Sequence, residues 1–120
     1  MIETYKQFSF EAAHSLQPHS GLHGHTFRVG VAFTGEPDPV FGWAENLDAA
    51  DKKIQKLWKV LDHSHLNDIE GLENPSLENL AKWVWQKLAE DFSTLSKVSV
   101  ARGPEGLAEG CTYSEAPQAA

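Results

Sequence analysis

The sequence predicts an α+β fold, a four-stranded antiparallel sheet with two helices on one face. Apolar residues alternate through Phe27, Val29, Val31 and Phe33 against Thr26, Arg28, Gly30 and Ala32, which is the period of a half-buried strand. Farther along, Ile54, Leu57, Trp58 and Leu61, then Leu77, Leu80, Ala81, Val84 and Leu88, recur at helical spacing. The order is therefore strand, strand, helix, helix, strand, strand, without the strand and helix alternation that a parallel sheet requires.

Residues 2 to 12 and 25 to 35 have strand composition and form an antiparallel pair, folded back through a turn at Gln17, Pro18, Ser20 and Gly21. A turn-rich stretch, Gly35-Glu36-Pro37-Asp38-Pro39 through Gly42, leads to a helix capped by Asp48 and running to about Leu61, with Ile54, Leu57, Trp58 and Leu61 as its buried stripe. Asn74-Pro75-Ser76 opens the second helix, where Ser76 caps and Glu78 in the first turn suits the dipole. Val98 and Val100 begin a third strand and Cys111-Thr112-Tyr113 a short fourth, separated by a Gly-Pro-Glu-Gly loop; the tail beyond Ser114 is small and polar and is expected to fray. Trp58, Trp83 and Trp85 fall in the helices and are expected in the core or an interface, while Trp43 precedes the first helix. A small sheet with uncovered edges leaves backbone groups unpaired, so pairing between subunits is expected.

A chain of 120 residues, 41% hydrophobic, buries one core, so a single domain over 1–120 is expected. A net charge of -7 and a pI near 5.2 argue against a nucleic-acid partner, which needs clustered Lys and Arg. The single cysteine, Cys111, excludes an intrachain disulfide and suits a reducing compartment. No apolar run approaches the roughly 20 residues of a membrane span, and Met1-Ile2-Glu3-Thr4-Tyr5-Lys6 lacks a signal-peptide pattern. The expectation is a cytoplasmic protein with no membrane partner.

All six histidines lie in two short stretches, His14 to His25 and His63 to His65. In a strand, His23 and His25 project from one face, and the segment Phe8 to His14 folded alongside brings a third imidazole. Three histidine nitrogens with an open fourth position describe a catalytic zinc site.

Four motifs occur in order: Phe10-Glu11-Ala12-Ala13-His14, Leu22-His23-Gly24-His25-Thr26-Phe27, Leu61-Asp62-His63 with Leu66-Asn67-Asp68, and Asn74-Pro75-Ser76 with Glu78-Asn79-Leu80-Ala81. On these motifs, which span nearly the whole chain, it resembles the 6-pyruvoyl-tetrahydropterin and 6-carboxy-tetrahydropterin synthases. The resemblance implies the tunnelling fold (T-fold), a barrel formed by oligomerisation into a hexamer of two stacked trimers, with pterin sites at subunit boundaries. It implies action on the side chain of 7,8-dihydroneopterin triphosphate, with Zn2+ held by His14, His23 and His25 and a proton relay at Asp62 and His63. A Lewis acid stabilises charge developing on oxygen, and the carboxylate fixes the tautomer of the imidazole that shuttles the proton.

Two positions depart from the family pattern. The synthases carry a catalytic cysteine four residues before the His-Gly-His, where this chain has His19. Histidine acts as a base near neutral pH without thiol activation, so His19 is either a substitute base or a polar loop residue. The pterin anchor of the family is a glutamate near the carboxy-terminal strand, a residue type that accepts two parallel hydrogen bonds from a guanidine-like edge. Counting back from Tyr113 gives Glu105, with Glu109 in reserve; counting forward from Val98 gives Arg102. Cys111 reads as a small buried hydrophobe. Three functions stay open: a 6-carboxy-tetrahydropterin synthase on the route to queuosine, a side-chain lyase making 6-hydroxymethyl-dihydropterin for folate, and a pterin or zinc binding protein without catalysis.

Overall fold

The structure, a computed structural model, describes residues 1–104 and 106–115. Two long strands, β1 (Ile2–Leu16) and β2 (Ser20–Gly35), pair antiparallel from Ile2↔Gly35 to His14↔His23. Helix α1 (Leu47–Leu61), a two-residue strand β3 (Ser64–His65) and helix α2 (Leu77–Ala89) follow, then β4 (Leu95–Arg102) and β5 (Glu109–Tyr113). The sheet order is β3-β1-β2-β4-β5. The predicted four antiparallel strands are present, and β3 adds a fifth, pairing parallel to β1 through Ala12↔Ser64 and Ala13↔His65.

Both hairpin strands run farther than composition suggests, to Leu16 and from Ser20, leaving a turn at 17–19. The extension matters, because it carries the ladder through the residues opposite the His-Gly-His. Past His14 the register slips before Leu16↔Ser20. There the Asn67 side chain replaces the lost ladder bonds: its Oδ1 accepts from Ser15 N at 2.9 Å and its Nδ2 donates to Ser15 O at 2.9 Å.

The period-2 pattern sorts each strand into two faces. Phe8, Phe10, Phe27, Val29, Val31, Phe33, Val98 and Val100 turn toward the helices, meeting Ile54, Leu57 and Leu61 of α1 and Leu80, Ala81, Val84 and Leu88 of α2 in one core. The opposite face is uncovered, and Glu3, Tyr5, Gln7, Arg28, Lys97 and Ser99 line a cavity of about 560 Å³ on it. No helix among the described residues is long and apolar enough to cross a membrane.

Two local expectations are corrected. Asn46, not Asp48, caps α1: its side chain accepts from the N–H groups of Asp48 and Ala49 at 3.0 and 3.2 Å, which places Asp48 in the first turn. Trp58 is 39% exposed and so not part of the buried stripe, while Trp83 and Trp85 are buried. Its indole Nε1 donates to Ser9 O at 3.0 Å, tying the half-exposed ring to β1. Ser76 does cap α2, accepting from Asn79 N.

Leu80 is fully buried between helix and sheet, whereas Val60 on the same helical layer is 48% exposed. Leu80→Ala is expected to cost about 2–5 kcal/mol by chemical denaturation and Val60→Ala within about 0.5 kcal/mol.

Candidate metal centre

The hairpin register decides where the histidines meet. His14 on β1 stands directly opposite His23 on β2, and Ala12 opposite His25, so the three imidazoles share the helix-facing side at one end of the sheet. One nitrogen from each lies within 4.8 Å of those of the others, and the rings pack edge to face at centroid distances of 4.6 to 5.2 Å. His14 is completely buried, and so is the Nε2 atom of the half-buried His25.

Backbone carbonyls set the tautomers of two rings. Nδ1 of His14 lies 2.9 Å from Pro75 O, and Nδ1 of His23 lies 2.7 Å from Gly21 O. A carbonyl only accepts, so each Nδ1 carries the hydrogen and each Nε2 presents a lone pair. These two Nε2 atoms are 3.1 Å apart. Two lone pairs at that distance repel unless a cation lies between them. Nε2 of His25 is buried with no hydrogen-bond partner among the described residues, a third unsatisfied imidazole nitrogen in the same cluster. Nitrogens bound to one tetrahedral Zn2+ stand about 3.3 Å apart, so the spacing fits a metal held by three neutral imidazoles. The residue set therefore suits zinc.

Burial holds His14 below the usual imidazole value, against the opposing Pro75 hydrogen bond. Burial does the same at His25, helped by the Arg102 charge and the two neighbouring histidines. Both shifts favour the neutral imidazole, the form that is able to ligate a metal.

Asp62 and His63 follow α1 and are tied to β1 by reciprocal backbone bonds: Asp62 Oδ1 accepts from Glu11 N at 2.9 Å, and His63 N donates to Glu11 O at 2.6 Å. Asp62 Oδ2 meets His63 Nδ1 at 2.7 Å. The Glu11 N–H, with the His63 contact adding to it, lowers the Asp62 carboxyl below the usual range. His63 has φ +58, the left-handed region where a helix ordinarily ends on glycine. Its side chain is 79% exposed and lines a cleft of about 530 Å³ with Glu11, Gly24, His25, Thr26 and Ser64. His63 and His25 thus both border this cleft.

Of the other sequence candidates, His19 sits exposed in the 17–19 turn and is not one of the three clustered histidines. Glu105 lies outside the described residues. Glu109 begins β5 opposite Arg102, and its Oε1 accepts from Arg102 Nε at 3.0 Å and Nη2 at 2.9 Å. Cys111 is half-buried, its thiol pushed up by burial and by Glu78. A raised thiol is a poor nucleophile or ligand, in keeping with its reading as a small hydrophobe. The supporting roles of Gly21 O, Pro75 O, Asn67 and Glu11 escaped sequence reasoning, although each lies in or beside a quoted motif; main-chain partners and bulge anchors leave no periodic signal.

Two outcomes are expected. Asn67→Ala loosens the bulge beside His14 and weakens zinc affinity by roughly 10- to 100-fold in a competition titration, the usual effect of losing an outer support. In the metal-free protein, the folded values of His14 and His25 lie below the ordinary 6.5, so the unfolded chain binds more protons just below that pH. Their stabilisation is complete above 6.5 and is lost as pH falls through the window below it; Asp62 adds a loss only below about pH 4. Thermal midpoints of metal-free protein measured from about pH 7.5 to 5.5 should fall on acidification; a flat or rising profile contradicts the assignment.

The family model for 6-pyruvoyl tetrahydropterin synthase matches residues 3–115. The chain is 40% identical over 95 residues to a 6-carboxy-5,6,7,8-tetrahydropterin synthase of Synechocystis sp., covering 72% of this chain and 74% of that protein. It is 32% identical over 102 residues to a dihydroneopterin monophosphate aldolase of Pyrococcus furiosus, covering 81% and 86%. The fold superposes on the Caenorhabditis elegans 6-pyruvoyl tetrahydropterin synthase with a TM-score of 0.84 at 26% identity, over 96% of each chain. With sequence and architecture in agreement over almost the full length, the chain belongs to the 6-pyruvoyl tetrahydropterin synthase family.

Proposed function

We propose that the protein is a zinc-dependent lyase of the 6-carboxy-tetrahydropterin synthase type, acting on the side chain of 7,8-dihydroneopterin triphosphate in the route to queuosine. The observation that carries this reading is the convergence of the His14 and His23 lone pairs, 3.1 Å apart, beside the unpartnered His25 Nε2, in a chain 40% identical to the Synechocystis synthase. His14, His23 and His25 would hold Zn2+, which when bound supplies Lewis acidity for charge that develops on side-chain oxygens.

The chain's own residues do the rest. Asp62 holds His63 Nδ1–H, which leaves Nε2 as the proton acceptor facing the cleft, and the carboxylate supports the imidazolium once formed. The left-handed backbone at His63 costs about 1 kcal/mol or more relative to glycine, and His63 borders a cleft that His25 also borders. His19, on the turn between the two histidine-bearing strands, is offered as the base in place of the family's cysteine. Glu105 is offered as the pterin anchor. The uncovered sheet face, with its cavity of about 560 Å³, suits the inner wall of a barrel assembled from subunits, a hexamer of two trimers. One domain over 1–120 and a cytoplasmic location complete the proposal.

A second reading, aldolase-type cleavage to 6-hydroxymethyl-dihydropterin for folate, is favoured by the 32% identity to the Pyrococcus furiosus aldolase and by a histidine where the synthases carry cysteine. Incubation of zinc-loaded protein with 7,8-dihydroneopterin triphosphate separates the two by mass spectrometry. 6-Carboxytetrahydropterin with acetaldehyde supports the synthase, a hydroxymethyl pterin supports the aldolase reading, and unchanged substrate refutes both.

The division of labour is tested by substitution. His23→Ala is expected to lose zinc and all turnover. His63→Gly should retain zinc and keep or raise stability by up to about 1 kcal/mol, because glycine relieves the left-handed backbone, while turnover falls at least about 100-fold. Equal zinc loss in both variants would undo the assignment.

A further inference from the structure

The proposed reaction leaves one charged group at the metal centre without a role. Arg102 ends β4 with a side chain only 20% exposed, although the chain is acidic overall and surface carboxylates are plentiful. One edge of its guanidinium is tethered: Nε and Nη2 both donate to a single oxygen of Glu109, whose own side chain is 67% exposed. The other edge turns inward. Nη1 lies 3.5 Å from His14 Nε2, and among the described residues this is the contact it makes. That distance is long for a charged hydrogen bond, and the lone pair it addresses is the one aimed at His23 and a metal. A largely buried guanidinium with five donors is therefore satisfied on one side and presents the rest to the site.

The charge count points the same way. The three imidazoles are neutral ligands and Glu109 offsets Arg102, so a divalent cation leaves the centre with a net charge of about +2. A ligand with an anionic oxygen group matches both that charge and the open fork of Arg102.

We infer that Arg102, oriented by Glu109, is a specificity-determining residue that binds an anionic oxygen group, phosphate or carboxylate, on the ligand at the three-histidine centre. The inference rests on the proposed site being the ligand site and not on the ligand being a pterin. Glu109 acts through Arg102: its Oε1 holds the Nε and Nη2 edge in place, while its negative charge opposes an incoming anion at the other edge.

The test is calorimetric titration of the zinc-incubated protein with inorganic phosphate. Wild type should bind, Arg102→Gln should weaken binding by roughly tenfold or more, and Arg102→Lys should recover part of the loss. Glu109→Gln moves the affinity the other way, tightening phosphate binding, an effect that general damage to the fold does not produce. Zinc stoichiometry and thermal midpoint should match wild type in the variants. A wild type that ignores millimolar phosphate, or an affinity unchanged in Arg102→Gln, overturns the inference.

A pterin arm separates it from the proposed function. If 6-carboxypterin binds better than 6-methylpterin, and Arg102→Gln erases the preference, the anion is a carboxylate on the pterin. If phosphate binding responds to Arg102→Gln while neither pterin binds, the anion site stands and the pterin reading falls.

Discussion

The site depends on one register. Because His14 lies opposite His23 in the β1–β2 ladder, two rings whose Nδ1–H groups are already committed to Pro75 O and Gly21 O point their remaining lone pairs at each other from 3.1 Å. A slip of one residue would send His14 to the uncovered face and dissolve the cluster. Asn67 guards against that slip where the ladder is weakest, by bonding both backbone groups of Ser15.

β1 is also the link between the three-histidine cluster and the Asp62–His63 pair. His14 points to the helix side, while three residues earlier the backbone of Glu11 holds both Asp62 and His63. The short parallel strand Ser64–His65 continues the same attachment at Ala12 and Ala13. His14 and the backbone that holds Asp62 and His63 therefore belong to one strand, with His23 and His25 on its partner β2. The left-handed His63 is the one place among the described non-glycine residues where backbone comfort is given up, and it is given up to place a side chain in the cleft.

Much of this was legible in the sequence. Phe27 to Phe33 and the Leu77 to Leu88 stripe announced strand and helix because each buries one face, and burial imposes a period. The histidine cluster stood out because ligand-type residues at strand spacing have few other uses. What stayed hidden had no periodic expression. A two-residue strand such as β3 is too short to show one, and Asn46 and Asp48 are both good capping residues, so only geometry separates them. Trp58 matched the apolar stripe, yet its indole N–H found a carbonyl at the sheet edge and the ring stayed half in solvent. The pairing of Arg102 with Glu109 is a consequence of β4–β5 register, which counting along the chain from either end could not supply.

The central claim is that the β1–β2 register, with carbonyl-fixed tautomers at His14 and His23, focuses three histidine nitrogens on one cation. Zinc K-edge X-ray absorption on protein loaded with zinc tests it most directly. The account predicts one zinc per chain with three imidazole nitrogens at about 2.0–2.1 Å and a further light-atom ligand. Substoichiometric zinc, or a shell containing the sulfur of Cys111 at about 2.3 Å, would contradict it.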